Sequence, residues 1–193
     1  MLVLQGGGAL GAFQAGVYEA LIDLGIELDW VAGISIGAIN AAIIAGNPRD
    51  EAVGKMRAFW EGVSSALPSL PVVDNDAVRE WVHLGAAAQV ASFGVPGFFV
   101  PRIPPPLFAE RQTPAAVSYY DTTPLIATLD RLIDWDRLNT GNVRLSVGAV
   151  AVETGNFRYF DTRTDRIDAR HIMASGALPP GLPAIEIVGH WYW

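Results

Sequence analysis

Hydrophobic positions fall in short continuous runs separated by longer segments with helical spacing. Leu2, Val3 and Leu4 make a first apolar run, and a helix is predicted from the glycine-rich segment behind it to about Leu24. Leu10, Phe13, Val17, Leu21 and Leu24 recur at spacings of three and four, which predicts one apolar stripe. Gly25 stands where a glycine ends a helix. Residues 26–29 form a return loop and residues 30–34 the next strand. That crossover is too long for a hairpin, so the two strands are expected to be parallel and the connection right-handed. The small apolar residues 38–45 predict a helix that Gly46-Asn47-Pro48 stops. Asp50 is a candidate N-cap for a helix to about Ser64, with Val53, Met56, Trp60 and Val63 on one face.

Residues 67–71 read as a loop, and a helix is expected from Asp74 or Asp76 to about Ser92, carrying His83. Residues 93–114 break the pattern with Pro96, Pro101, Pro104, Pro105, Pro106 and Pro114. The same segment holds Val95, Phe98, Phe99, Val100, Ile103, Leu107 and Phe108, so it reads first as an ordered cover and second as a lid or lipid-facing flap. Thr122 reads as an N-cap with proline following, opening a helix to about Ile133. Residues 143–152 predict a central strand, which Thr154-Gly155-Asn156 turns into a second strand over 157–160. Asp168 is expected to cap a short helix through His171 to Ala174, ended by Ser175-Gly176-Ala177-Leu178-Pro179-Pro180. Residues 184–188 read as a strand, Gly189-His190 as a turn and 191–193 as the opening of another strand.

Composition narrows the classes. A chain of 193 residues with 51% hydrophobic and 17% charged content suits one well-buried globular domain rather than a disordered segment. The net charge of −7, without a Lys/Arg cluster, argues against nucleic acid as a partner and against electrostatic docking to anionic lipid. The absence of cysteine removes disulfides, thiolate metal sites and a cysteine nucleophile. The first residues lack a basic region and a long apolar run, so no signal peptide is read there. Residues 30–48 are uncharged over 19 positions, but Gly33, Gly37, Gly46, Ser35 and Asn40 interrupt them. A buried strand and helix explain that stretch better than a membrane span.

Candidate chemistry centres on Gly33-Ile34-Ser35-Ile36-Gly37, a G-x-S-x-G pentapeptide in strand–turn–helix context. That context marks a nucleophile elbow, with glycines where a Cβ would strike neighbouring backbone and Ser35 at the tip. Parallel pairing puts the Gly6-Gly7-Gly8 loop on the same sheet edge as Ser35, where its amides could hold an oxyanion. Gly6-x-Gly8-x-x-Gly11 also fits a dinucleotide fingerprint, but that motif needs an acid at the end of the second strand. Here Glu27 and Asp29 precede the strand. A Ser-His-Asp triad on an α/β-hydrolase is a further alternative; only one βα unit precedes Ser35, and His83, His171 and His190 have no setting that marks a base.

Two motifs together resemble the patatin-like phospholipases: Gly6-Gly7-Gly8-Ala9-Leu10-Gly11 after the first strand, and Gly33-Ile34-Ser35-Ile36-Gly37-Ala38-Ile39-Asn40-Ala41 after the second. Thr154-Gly155 and Ala174-Ser175-Gly176-Ala177-Leu178-Pro179 follow in the family's order, and the chain looks most like a bacterial esterase subgroup. The resemblance implies a three-layer α/β/α fold with a mainly parallel central sheet and a Ser–Asp dyad. It implies Ser35 as nucleophile, Gly6, Gly7 and Gly8 as oxyanion hole, and Gly11, Gly33, Gly37 and Asn40 as supporting motif residues. It implies a lipid or acyl-ester substrate, no metal and no cofactor. Peripheral membrane contact and oligomeric state are left open, and the location expected is cytoplasmic or peripheral to a membrane. Two departures stand out. Leu10 occupies a position where many members carry Lys or Arg, and the Asp-Gly-Gly or Asp-Gly-Ala motif expected after residues 185–193 is absent. The expectation is therefore one patatin-like domain over residues 1–193, C-terminally truncated, with its general-base aspartate beyond Trp193. Asp121, Asp161 and Asp168 read instead as turn or cap residues. A catalytically silent lipid-binding or scaffold protein that keeps the elbow is the alternative from another class.

Overall fold

The computed structural model describes residues 1–65, 76–110 and 113–193, with the backbone alone for 76–84. Strand β1 (Leu2–Leu4) runs through a 3-10 turn (Gly8–Gly11) into helix α1 (Ala12–Asp23), and β2 (Trp30–Gly33) runs into α2 (Ile36–Ala45). Helices α3 (Arg49–Ser64) and α4 (Asp76–Phe93) follow, then the two-residue strands β3 (Val100–Pro101) and β4 (Tyr120–Asp121). Helices α5 (Thr123–Leu132) and α6 (Trp135–Thr140) lead to β5 (Arg144–Val150) and β6 (Phe157–Asp161). Helix α7 (Ala169–Gly176) and the hairpin β7 (Ile185–Ile187) and β8 (His190–Tyr192) complete the described chain.

The fold is α/β. The main sheet has the order β1-β2-β5-β6; the first three strands are parallel and β6 is antiparallel. Register is set with Leu4 opposite Gly33 and Gly33 opposite Val147. Along β5, residues 145–149 are buried without a break, as expected of a central strand covered on both faces. Helices α2 and α7 pack directly on the sheet. Every residue of α2 is buried, and its alanines let it lie close to the strands. Among the described residues no helix is long and apolar enough to cross a membrane.

Several local expectations need correction. Three of the five stripe positions predicted for α1 face solvent, Leu10, Phe13 and Leu24 at 78%, 78% and 74% exposed, while Val17 and Leu21 are half-buried. The helix instead buries Gly11 and Tyr18, with Ala15 and Ile22 packed on the core. The cause is Gly11, which lies so close to Ile36 that an added Cβ would sit 2.7 Å from its side chain. A glycine is the nearest contact, and glycine is invisible to a hydrophobic pattern. Pro48, not Asp50, occupies the N-cap of α3, and its carbonyl accepts from Glu51 and Ala52. Thr122 makes no side-chain cap on α5; Asp121 accepts from the Thr123 amide at 2.9 Å and its hydroxyl at 2.6 Å. Helix α6 was not foreseen; six residues are too few for a periodic signal, and Asp134 caps it through the Arg137 amide. The last hairpin turns at Val188 and Gly189, with φ of 49° and 79°, and His190 already belongs to β8. The loop expected at 67–71 and a helix start at Asp74 lie outside the described residues, as does the His83 side chain.

A polar network fixes the start of β5. Trp30 Nε1 donates to Ser146 Oγ at 2.8 Å, and Ser146 Oγ donates to Asp161. Arg144 lies 3.9 Å above the Trp30 ring and closes on the same carboxylate at 2.8–3.0 Å. Asp161 is thus a buried anchor in β6, and it also makes an Asx-type turn by accepting from the Arg163 amide. Burial alone would raise its pKa, but the bonds from Arg144, Ser146 and Arg163 outweigh that and hold the carboxyl below its ordinary value. A group depressed in the folded state adds stability above its unfolded pKa and loses it as pH falls through the folded value. Asp161→Asn is expected to cost about 3 kcal/mol near neutral pH. In urea titrations the gap to wild type should narrow below the ordinary carboxylate range; a gap independent of pH would contradict this account.

Candidate active site

The end of β2 turns so sharply that Ser35 takes φ 56° and ψ −125°, backbone that a non-glycine residue rarely adopts. The turn brings three backbone segments together. A Cβ on Gly33 would lie 2.3 Å from the Gly37 carbonyl oxygen, and one on Gly37 would lie 2.1 Å from that of Leu4. Only glycine fits at either position. The Ile34 amide donates to the Leu4 carbonyl at 3.2 Å and the Gly37 amide to the Ile34 carbonyl at 2.9 Å, which closes the turn against β1.

The glycine loop after β1 meets Ser35 there. The Cβ position of Gly6 is 3.2 Å from Ser35 Cβ and 3.9 Å from Ser35 Oγ. Gly7 and Gly8 have φ of 150° and 56°, and the Gly7 carbonyl accepts from the Leu10 amide. Asn40, fully buried on α2, donates through Nδ2 to the Gly11 carbonyl at 2.9 Å and to Gln14 Oε1 at 2.8 Å. Its Oδ1 accepts from Trp60 Nε1 at 3.3 Å, and Gln14 Nε2 reaches back to the Gln5 carbonyl at 2.8 Å. One buried amide therefore ties both ends of the glycine loop to the elbow helix. Gly6, Gly7, Gly8, Gly11, Gly33, Ser35, Gly37 and Asn40 stand in one cluster.

Sequence reasoning gave no role to Ser175. It is buried on the last turn of α7, accepts from the Ser35 amide at 2.9 Å and donates to the Gly148 carbonyl at 2.5 Å. The elbow is thereby bolted to α7 and β5. Its only signal was its place in the small-residue run 174–179. The histidines lie elsewhere. His171, at the opposite end of α7, completes a capping box with Asp168, and His190 is 3.9 Å from Glu153. Burial would raise Asp168, but His171 and Arg170 hold it well below the usual carboxylate range. Among the described residues no carboxylate or imidazole is hydrogen-bonded to Ser35 Oγ. A cavity of about 560 Å³ between β6 and the β7–β8 hairpin has Arg158, Asp168, Arg170 and His190 in its wall and does not include Ser35.

The sequence model of the patatin-like phospholipases matches residues 2–193. The chain belongs to this family. It is 54% identical over 44 residues to the lysophospholipase nte1 of Aspergillus terreus, covering 23% of this chain and 3% of that protein. It is 38% identical over 71 residues to patatin-like phospholipase domain-containing protein 7 of Mus musculus, covering 36% and 5%. The patatin-like chain thus spans about 3–5% of the length of the curated relatives it matches. Among solved structures, VipD from Legionella pneumophila superposes with a TM-score of 0.54 over 99% of this chain and 44% of its own, at 17% identity, which is a likeness of fold.

Two substitutions check this geometry. Ser175→Ala leaves the half-buried Ser35 amide and the buried Gly148 carbonyl without this partner and should lower stability by about 1–3 kcal/mol in urea unfolding. Gly37→Ala drives a methyl into the Leu4 carbonyl and should abolish cooperative unfolding; a variant as stable as wild type would show that the turn is looser than described.

Proposed function

We propose that this patatin-like chain is the core of a serine hydrolase acting on lipid acyl esters, with the residues of 1–193 belonging to one domain. The observation that carries the reading is Gly6 packed against Ser35 at a strained turn on the carboxyl edge of a parallel sheet. Ser35 Oγ attacks the ester carbonyl carbon as its proton passes to a carboxylate. The Gly6, Gly7 and Gly8 amides take the developing oxyanion, and the alcohol leaves with the proton. Water then attacks the acyl-Ser35 ester, releasing the fatty acid and restoring the hydroxyl. The base is assigned to an Asp-Gly-Gly or Asp-Gly-Ala motif following Trp193. Supporting that assignment, Trp191 accepts from the Val152 amide and Trp193 exchanges two bonds with Val150 at 2.7 and 3.0 Å. The chain is therefore travelling down β5 toward Gly148, the residue linked through Ser175 to the elbow. A substrate held in a lipid surface requires peripheral membrane contact. The absence of a carboxylate bonded to Ser35 Oγ among the described residues favours, as second reading, a silent lipid-binding protein.

A fluorophosphonate separates the two. It should modify Ser35 and leave Ser35→Ala untouched; absence of labelling in a longer chain that carries the aspartate would sink the hydrolase reading. The 193-residue chain should hydrolyse acyl esters at a rate reduced about 10³-fold or more against the extended one. Equal rates in both would place the base within residues 1–193.

A further inference from the structure

We propose that residues 103–108 form a docking tip for a zwitterionic phospholipid surface. The use of such a surface rests on the acyl-hydrolase reading; the chemistry of the tip does not. The apolar segment after α4 divides into an anchored base and a free tip. In the base, the Gly94 amide donates to the Val90 carbonyl and Thr128 Oγ1 to the Gly97 carbonyl at 2.7 Å. The Phe98 ring lies 6.4 Å from that of buried Phe59, and Phe99 lies 4.8 Å from Tyr120. Phe98 and Phe99 are thus turned toward the body and serve as cover. A neck follows: the Arg102 guanidinium donates to the Ser118 carbonyl, Ser118 Oγ and the Tyr120 carbonyl at 3.1–3.3 Å. Beyond this clasp Ile103, Leu107 and Phe108 are 92%, 87% and 73% exposed.

The chemistry of the tip favours lipid over a protein partner. No charged residue stands between Arg102 and Glu110. Pro104, Pro105 and Pro106 have no N–H, and the Phe108 and Ala109 amides donate to the Pro105 and Pro106 carbonyls. A protein interface carries about one hydrogen bond per 100–200 Å²; a tip with few free donors offers little toward that and loses little on entering the acyl boundary. The neck is also fastened to the segment that follows α7. The Tyr119 and Tyr120 amides donate to the Pro180 and Gly181 carbonyls at 2.8 and 3.0 Å, on the segment leaving α7 behind Ser175. With a net charge of −7 on the chain, anionic headgroups add repulsion and the fitting surface is zwitterionic.

The test is co-sedimentation of the whole chain with phosphatidylcholine vesicles. Wild type should pellet with them. The triple variant Ile103→Ser, Leu107→Ser, Phe108→Ser should bind on the order of tenfold or more weakly, with unchanged circular dichroism and melting. Leu24→Ser, exposed elsewhere, should bind like wild type, and adding phosphatidylserine should not strengthen binding. Equal binding by the triple variant overturns the proposal, as does failure of wild type to bind. So does self-association that the triple variant abolishes without vesicle binding, which would make a second copy the occupant. Vesicle binding by Ser35→Ala keeps this outcome separate: unlabelled Ser35 with intact docking defeats only the hydrolase reading.

Discussion

The structure depends on one contact between backbones. The first turn of α2 lies against the end of β1 so closely that the would-be Cβ of Gly37 is 2.1 Å from the Leu4 carbonyl oxygen. No side chain could separate these elements and keep the geometry. Because they touch, Gly6 reaches Ser35 and the glycine loop shares an edge with the elbow. The unusual backbone of Ser35 persists because its surroundings over-determine it. The Ile34 and Gly37 amides donate to the Leu4 and Ile34 carbonyls, the Ser35 amide to Ser175, and the helix behind is buried along its whole length.

Strand β5 carries that arrangement across the sheet. Its first half holds Arg144 and Ser146 on Asp161, while Trp30 of the neighbouring strand bonds Ser146 and stacks on Arg144. Those bonds cross both partners of β5, so they fix its register on each side. A slip of one residue would turn Leu145, Val147 and Ala149 out of the core. Register set at that end decides which carbonyl stands at the other, and it is Gly148 that receives Ser175. Polar groups far from Ser35 thus help to position its main chain without touching it.

The parts legible in the sequence are those where one residue type has a single physical use. Glycines at 33 and 37 around a serine, between apolar strand and small-residue helix, specified the elbow, and the long crossover specified parallel β1 and β2. The Asp168 cap of α7 and the turn between β5 and β6 were readable for the same reason. What was not legible depended on contacts that leave no periodic trace. The exposed stripe on α1 was misassigned because Gly11 decides how the helix sits. Ser175 is one hydroxyl in a run of small residues, and its role exists only once α7 meets β5. Composition marked residues 93–114 as apolar and irregular. It could not tell that Arg102 divides them into an inward base and an outward tip.

The two ends of α7 bear on the proton acceptor. At its start, His171 Nδ1 lies 3.1 Å from the Asp168 amide nitrogen and 2.8 Å from Asp168 Oδ1, and the ring packs edge-on against Phe160. At its end, Ser175 holds the elbow. Four residues of helix separate the two by about 6 Å of axial rise, and both side chains are committed. His171 would have to abandon the cap and its aromatic neighbour to approach Ser35, and His190 is two-thirds exposed beside Glu153. His171 cannot act as the base without dismantling the cap of α7. In the proposed reading a carboxylate takes that role, and β8 runs along β5 toward Gly148, the residue that Ser175 links to the elbow. On the reading proposed above, the geometry of α7 keeps His171 out of a triad with Ser35.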